Sequence, residues 1–205
     1  MISDSDGIQA VKAARAVTEA WTRDEEASPE MPESFHRTHS GVFVTLNEYP
    51  SGMLRACIGY PIPPYELSQT LVLAAKAVRD DPRFPRLKTE EAKNCTFDVT
   101  ILTEPENIEY GSLDELKSKI RIGTDGLIVR MMHGDRLLTS GLFLPQVPVE
   151  QGWGMDEYLD NICIKAGLRP NAWKTVHLVF EKFQGECFGE TEPNGEIRRK
   201  PTDES

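Results

Sequence analysis

Arg55 and Cys57 stand two residues apart in the stretch Leu54-Arg55-Ala56-Cys57-Ile58-Gly59-Tyr60, just ahead of the run Pro61-Ile62-Pro63-Pro64. If this stretch is extended, period two puts Arg55, Cys57 and Gly59 on one face and Leu54, Ala56, Ile58 and Tyr60 on the other. An adjacent cation favours the thiolate, and a guanidinium holds carboxylate or phosphate through paired N–H donors. Three readings stay open. Cys57 is the nucleophile or redox thiol of an enzyme acting on a small anionic or aromatic substrate; or Arg55 and Cys57 line a ligand pocket without chemistry at sulfur; or Cys57 fills space and Arg55 pairs with Asp80 or Asp81. A nucleophile needs a base held by a third group, and the sequence places no histidine to serve.

The elements that must position this pair are legible in outline. Ile8, Val11, Ala14, Val17 and Trp21 recur at helical spacing, predicting an amphipathic helix from Gly7 to about Arg23. Ser28 to Ser40 reads as a loop carrying His36 and His39. Gly41 to Leu46 is β-branched and aromatic, and Tyr49-Pro50-Ser51-Gly52 supplies a turn, so a hairpin is expected whose second strand holds Cys57. A helix follows over Tyr65 to Arg79, ended by Asp81-Pro82-Arg83-Phe84-Pro85.

Cys95 to Leu102 alternates Phe97, Val99 and Ile101 with Asp98 and Thr100, which predicts a strand with one face in the core. Ser112 and Glu115 form a capping box opening a helix to about Lys119, and Ile120 to Ile122 suggests a short strand. Two apolar runs flank His133-Gly134 as a hairpin, with His133 as a turn residue. The proline-broken run Gly141 to Pro148 predicts a loop, and Tyr158, Leu159, Ile162, Cys163 and Ala166 line a helix that Gly167 ends. Val176 to Phe188 reads as one last strand with a bulge at Gly185. These elements predict an α+β fold with mainly antiparallel sheets packed by helices. The expected organisation is one domain over residues 1–188, with a smaller α+β lobe at about 106–140, and a polar, mobile tail over 189–205.

Composition narrows the function classes. A formal charge of −10 argues against a phosphate-backbone binder, which needs a basic footprint. No apolar run approaches the ~20 residues of a membrane span, and the N-terminus lacks the pattern of a signal peptide, so the cytoplasm is the expected compartment. The four cysteines, Cys57, Cys95, Cys163 and Cys187, include no close pair of the kind metal sites use, so neither metal nor cofactor is expected, and the last three read as buried thiols.

Four ordered segments carry a resemblance. Leu54-Arg55-Ala56-Cys57-Ile58-Gly59, Asp81-Pro82-Arg83-Phe84, Gly141-Leu142-Phe143-Leu144-Pro145-Gln146-Val147, and Cys163-Ile164-Lys165-Ala166-Gly167-Leu168 followed by Trp173 look like the AMMECR family. The resemblance spans about Gly7 to Phe188 and implies two α+β lobes in an intracellular protein of unassigned activity. Microbial relatives resemble one part of a set that includes a Memo-type protein and a radical S-adenosylmethionine enzyme. This chain has no cysteine triplet for such a cluster, so that chemistry belongs to a partner. Ala56 departs from the family's usual glycine, which puts close ligand contact at that residue in question.

The ligand-binding residues expected around Cys57 are Arg55, Gly59, Arg83, Gln146 and Trp153, with the Leu144 to Val147 segment closing the pocket. Each has a plainer role. Arg83 caps the preceding helix, Gln146 bonds its own loop, and Trp153, like Trp173, packs beside a helix. The chain is then either a small-ligand-binding or adaptor component working with a Memo-type or radical S-adenosylmethionine partner, or an enzyme with a Cys57/Arg55 pocket.

Overall fold

The computed structural model describes residues 2–200. In chain order the helices and strands are α1 (Asp4–Thr22), β1 (Val42–Glu48), β2 (Leu54–Tyr60), α2 (Leu67–Ala77), α3 (Thr89–Lys93), β3 (Cys95–Leu102), β4 (Glu106–Asn107), α4 (Leu113–Ser118), β5 (Gly126–His133), β6 (Arg136–Phe143), α5 (Gln146–Glu150), α6 (Met155–Lys165), α7 (Ala172–Thr175), β7 (Val179–Phe183), β8 (Gly185–Glu190) and β9 (Ile197–Lys200). The chain divides into two compact units, one running to Thr103 and resuming at Glu186, the other spanning Glu104–Gly185. Each has an antiparallel-paired sheet covered by helices, so the expected α+β class is what the chain adopts.

The first unit is built on a five-stranded sheet ordered β2-β1-β3-β8-β9. Val42, Val44 and Leu46 on β1 alternate with half-buried Phe43, Thr45 and Asn47, as a strand with one covered face must. Their buried set packs with Phe97, Val99 and Ile101 of β3 against Val11, Ala14 and Val17 of α1 and Leu71, Ala74 and Ala75 of α2. Ser3 caps α1 by accepting the Asp6 N–H. The opposite face of the sheet carries the polar partners Thr45, Cys57 and Asp98, which stand in register across β2, β1 and β3.

The second unit has a four-stranded sheet ordered β4-β7-β5-β6. Leu127, Val129 and Phe180 pack against Leu116 of α4, Tyr158, Leu159, Ile162 and Cys163 of α6, and Trp173 of α7. Ser112 caps α4 as expected, accepting the Glu115 N–H, while Glu115 reaches back one residue further, to the N–H of Gly111.

Four expectations need correction. Val176 to Phe188 is two strands, β7 in one sheet and β8 in the other, so Gln184 is a change of sheet and not a bulge within one strand. The polar stretch expected as a mobile tail from Gly189 contains β9, which pairs with β8 from Cys187↔Lys200 to Glu190↔Ile197; the last five residues of that tail lie outside the described residues. Ile120 to Ile122 forms turns, because Asp125 accepts the Arg121 N–H and closes that segment on itself. Gly141–Phe143 completes β6, and Gln146–Glu150 is a short helix with Pro145 at its N-cap and Pro148 in its first turn, where the missing N–H costs no helical bond. The smaller lobe expected at about 106–140 falls inside the second unit, which is wider because β7 returns to pair with β4 and β5.

Candidate functional site

Cys57 lies on β2, an edge strand, and is held there by its backbone. Its N–H donates to Asp81 Oδ2 at 2.9 Å, and its C=O accepts from Arg83 Nη2 at 2.8 Å. Arg83 also donates to both Asp81 oxygens, at 3.1 and 2.8 Å, and its own N–H donates to Asp81 Oδ1 at 3.0 Å. One ion pair thus brackets the cysteine's peptide groups and occupies the open edge of the sheet. Bare strand edges invite pairing with other chains, and here the segment after α2 covers this one. Arg83 therefore clips the strand and does not cap α2.

Asp81 is buried, and burial alone would raise its pKa. The hydrogen bonds from Arg83 and from the N–H groups of Cys57 and Arg83 outweigh that cost and hold the carboxyl at about 2. It is ionised at any ordinary pH.

Arg55 is the extra residue of a β-bulge, since Leu46 pairs with Ala56 while Asn47 pairs with Leu54. The strict alternation that would set Arg55 beside Cys57 is broken there. Its buried guanidinium donates to the Pro85 carbonyl at 2.9 Å and to both Glu91 oxygens at 3.3 Å. Its acidic partner is therefore Glu91 of α3, not Asp80 or Asp81. Both arginines approach the Phe84 ring, Arg55 at 5.9 and Arg83 at 5.6 Å from its centre.

The Cys57 thiol has its own partner. Thr45, directly opposite on β1, donates its hydroxyl to Sγ at 3.2 Å. Cys57 is half-buried, whereas Cys95, Cys163 and Cys187 are buried. Desolvation pushes the Cys95 thiol up to about 11, the nearby Arg55 charge opposing it, and burial likewise raises Cys163 and Cys187. Next along the row, Asp98 of β3 accepts from Asn47 Nδ2 at 3.2 Å and pairs with Lys200 at 2.5 Å.

Ala56 is fully buried in the core cluster, so its methyl points away from the Cys57 face and does not limit approach there. Gly59 is paired with Phe43, whose ring occupies the space a Cβ would need; the glycine at 59 makes room for that ring. Gln146 and Trp153 belong to the second unit. Gln146 is half-buried at the first position of α5, and the Trp153 ring packs on Phe143 edge-on, centres 5.5 Å apart. His36 shares a hydrogen bond with Ser68 on α2.

A family model named AMMECR1 matches residues 11–188. The chain belongs to the AMMECR1 family. Protein PH0010 of Pyrococcus horikoshii is 44% identical over 196 residues, covering 92% of this chain and 91% of the relative. A protein of Thermococcus gammatolerans is 42% identical, with 98% of each chain covered. The crystal structure of PH0010, an uncharacterised protein, superimposes with a TM-score of 0.76 at 43% identity, covering 98% of both chains. For this AMMECR1 member, Thr45, Glu91, Asp98 and Lys200 are the residues that sequence reasoning did not join to the site. Asp98 was visible as a polar alternate of its strand, whereas the pairing that brings Thr45 opposite Cys57 becomes evident only with the hairpin register. Among the described residues no helix is long and apolar enough to cross a membrane.

Proposed function

We propose that the protein is a small-ligand-binding or adaptor component and that its ligand rests on the outer face of the five-stranded sheet, beside Cys57. The observation that carries this is the sharing of partners around the thiol. Sγ receives the Thr45 hydroxyl, while the arginines on either side are engaged by Glu91 and Asp81. The face offers a soft sulfur, a hydroxyl and a carboxylate for recognition, and the groups bonded around Cys57 do not include a base aimed at its proton.

The chemistry itself is assigned to a partner of the Memo type or the radical S-adenosylmethionine type, on the strength of the family resemblance. Free thiols at all four cysteines fit a reducing cytoplasm. The half-exposure of Cys57 favours one second reading, in which its thiolate attacks a small anionic or aromatic substrate.

Alkylation of the native full-length protein by iodoacetamide across pH separates the two readings, with glutathione as the free-thiol standard. Ligand binding without chemistry expects Cys57 to react no faster than glutathione, and a much faster reaction near neutral pH would establish the nucleophile. For the partner, purified protein is mixed with a purified Memo-type protein and run on a sizing column. Co-elution is expected, and separate elution removes the Memo-type partner.

A further inference from the structure

The outer face of the five-stranded sheet carries a row of directly opposed residues. Cys57 pairs with Thr45, and Thr45 pairs with Asp98. Two strand spacings separate Cys57 from Asp98, about 10 Å along the row. Beyond Asp98 lies Gly189 of β8, where an added Cβ would run into the Asp98 carboxylate and meet the Lys200 side chain at 2.5 Å. The bare backbone at Gly189 is thus the floor on which the Asp98–Lys200 pair rests. Asp98 Oδ1 takes Lys200, and Oδ2 takes the Asn47 amide.

The two members of the pair differ in how firmly they are fixed. Asp98 projects from a central strand and keeps 14% of its side-chain surface, whereas Lys200 comes from edge strand β9 on a flexible four-carbon stem and keeps 35%. We propose that Asp98 receives an ammonium group of the ligand bound on this face, and that Lys200 holds this position in the unliganded chain and is displaced on binding. This rests on the ligand reading of the Cys57 face and adds its chemical class, a primary or secondary amine.

Charge balance at the carboxylate supports it. Burial raises the pKa of Asp98, and the opposing effects of Lys200 and Asn47 do not bring it back to its ordinary value, with Glu190 adding to the rise. Its present donors are the Lys200 ammonium and the Asn47 amide. A ligand ammonium brings two or three N–H donors without the tether to an edge strand. Its carbon chain, directed along the row, would lie over Thr45 towards Cys57.

The test titrates the full-length protein with n-butylammonium chloride, with n-butanol and sodium chloride as controls. Binding is read from the Asn47 side-chain amide by NMR and from slowed iodoacetamide alkylation of Cys57. Lys200→Met is expected to bind n-butylammonium about tenfold more tightly or better, because the competing occupant is gone. Lys200→Gln should do the same, which guards against a local effect of Met. Asp98→Asn, checked for folding by circular dichroism, is expected not to bind.

Unchanged affinity in both Lys200 variants overturns displacement, and binding retained in Asp98→Asn, or equal binding of n-butanol, overturns the ammonium site. Absence of binding in every variant overturns the inference and leaves the Cys57 reading to its own test. Amine binding at Asp98 with Cys57 alkylated at its unliganded rate upholds the ammonium site and refutes the ligand face at Cys57.

Discussion

The Cys57 N–H donates to Asp81 Oδ2 at 2.9 Å, a bond that ties the signature strand to the segment following α2. Two family segments far apart in the chain are joined by it, and the carboxylate making it is almost fully buried. The stretch around Cys57 and the ion pair of buried Asp81 with Arg83 are therefore one structural device.

That device makes stability depend on acid. Asp81 titrates at about 2 in the folded chain against 3.8 for the free group. A depressed folded value means the stabilisation is fully present above the unfolded pKa and is lost as pH falls from about 4 through about 2. Asp81→Asn should lower unfolding free energy at neutral pH by about 1–2 kcal/mol, once screening at half-exposed Arg83 is allowed for. In denaturant titrations of both proteins, the difference should shrink across that acid window.

A second ion pair should matter more. Buried Arg15 of α1 donates to Glu190 of β8 and, at 2.7 Å, to the Cys95 carbonyl, while Glu190 also accepts the Phe97 N–H. Glu190→Gln removes the buried counter-charge and leaves Arg15 with Glu19 as its remaining acid, for a loss of about 2–3 kcal/mol measured by chemical denaturation. Removing one partner of the exposed Arg37–Glu33 pair should change stability by under about 0.5 kcal/mol.

Replacing Ala56 by glycine should weaken the fold without touching the site. The methyl is fully buried against the helices, so Ala56→Gly costs about 1 kcal/mol through lost burial and added chain freedom. The alkylation rate of Cys57 is expected to stay at the wild-type value.

Thr45→Val tests the hydroxyl contact of the thiol. The hydroxyl that donates to Sγ is lost while the shape is kept, so alkylation of Cys57 at fixed pH should slow by about threefold to tenfold, the effect of a single hydrogen bond on the order of 1 kcal/mol. An unchanged rate would mean that the hydroxyl does not stabilise the thiolate.

Helices α1, α2 and α6 and the two hairpins are legible in the sequence, because their apolar residues repeat at 3.6 or 2.0 positions and turn residues bound them. The face shared by Arg55 and Cys57 was expected from that same alternation, and a bulge defeats it: one extra residue leaves no mark in residue type. The switch of sheets at Gln184 was hidden because β7 and β8 follow each other as one extended run. Strand β9 was hidden because Ile197-Arg198-Arg199-Lys200 reads as solvated charge; its place comes from pairing with β8 and from Arg199 reaching Asp4 of α1. At the site, residue types were readable and partners were not, since Glu91, Thr45 and Lys200 reach Arg55, Cys57 and Asp98 only through tertiary pairing.

The clip grips peptide groups, and its guanidinium also lies within reach of the Cys57 thiol. Asp81 and Arg83 would hold a serine or an alanine at position 57 in the same place, because the Asp81 carboxylate takes its N–H and the Arg83 guanidinium its carbonyl. The fold thus supplies a socket whose position is set by the backbone and whose side chain meets Thr45 and Arg83. Swapping the side chain there becomes a clean experiment on chemistry, with architecture left standing as its own control.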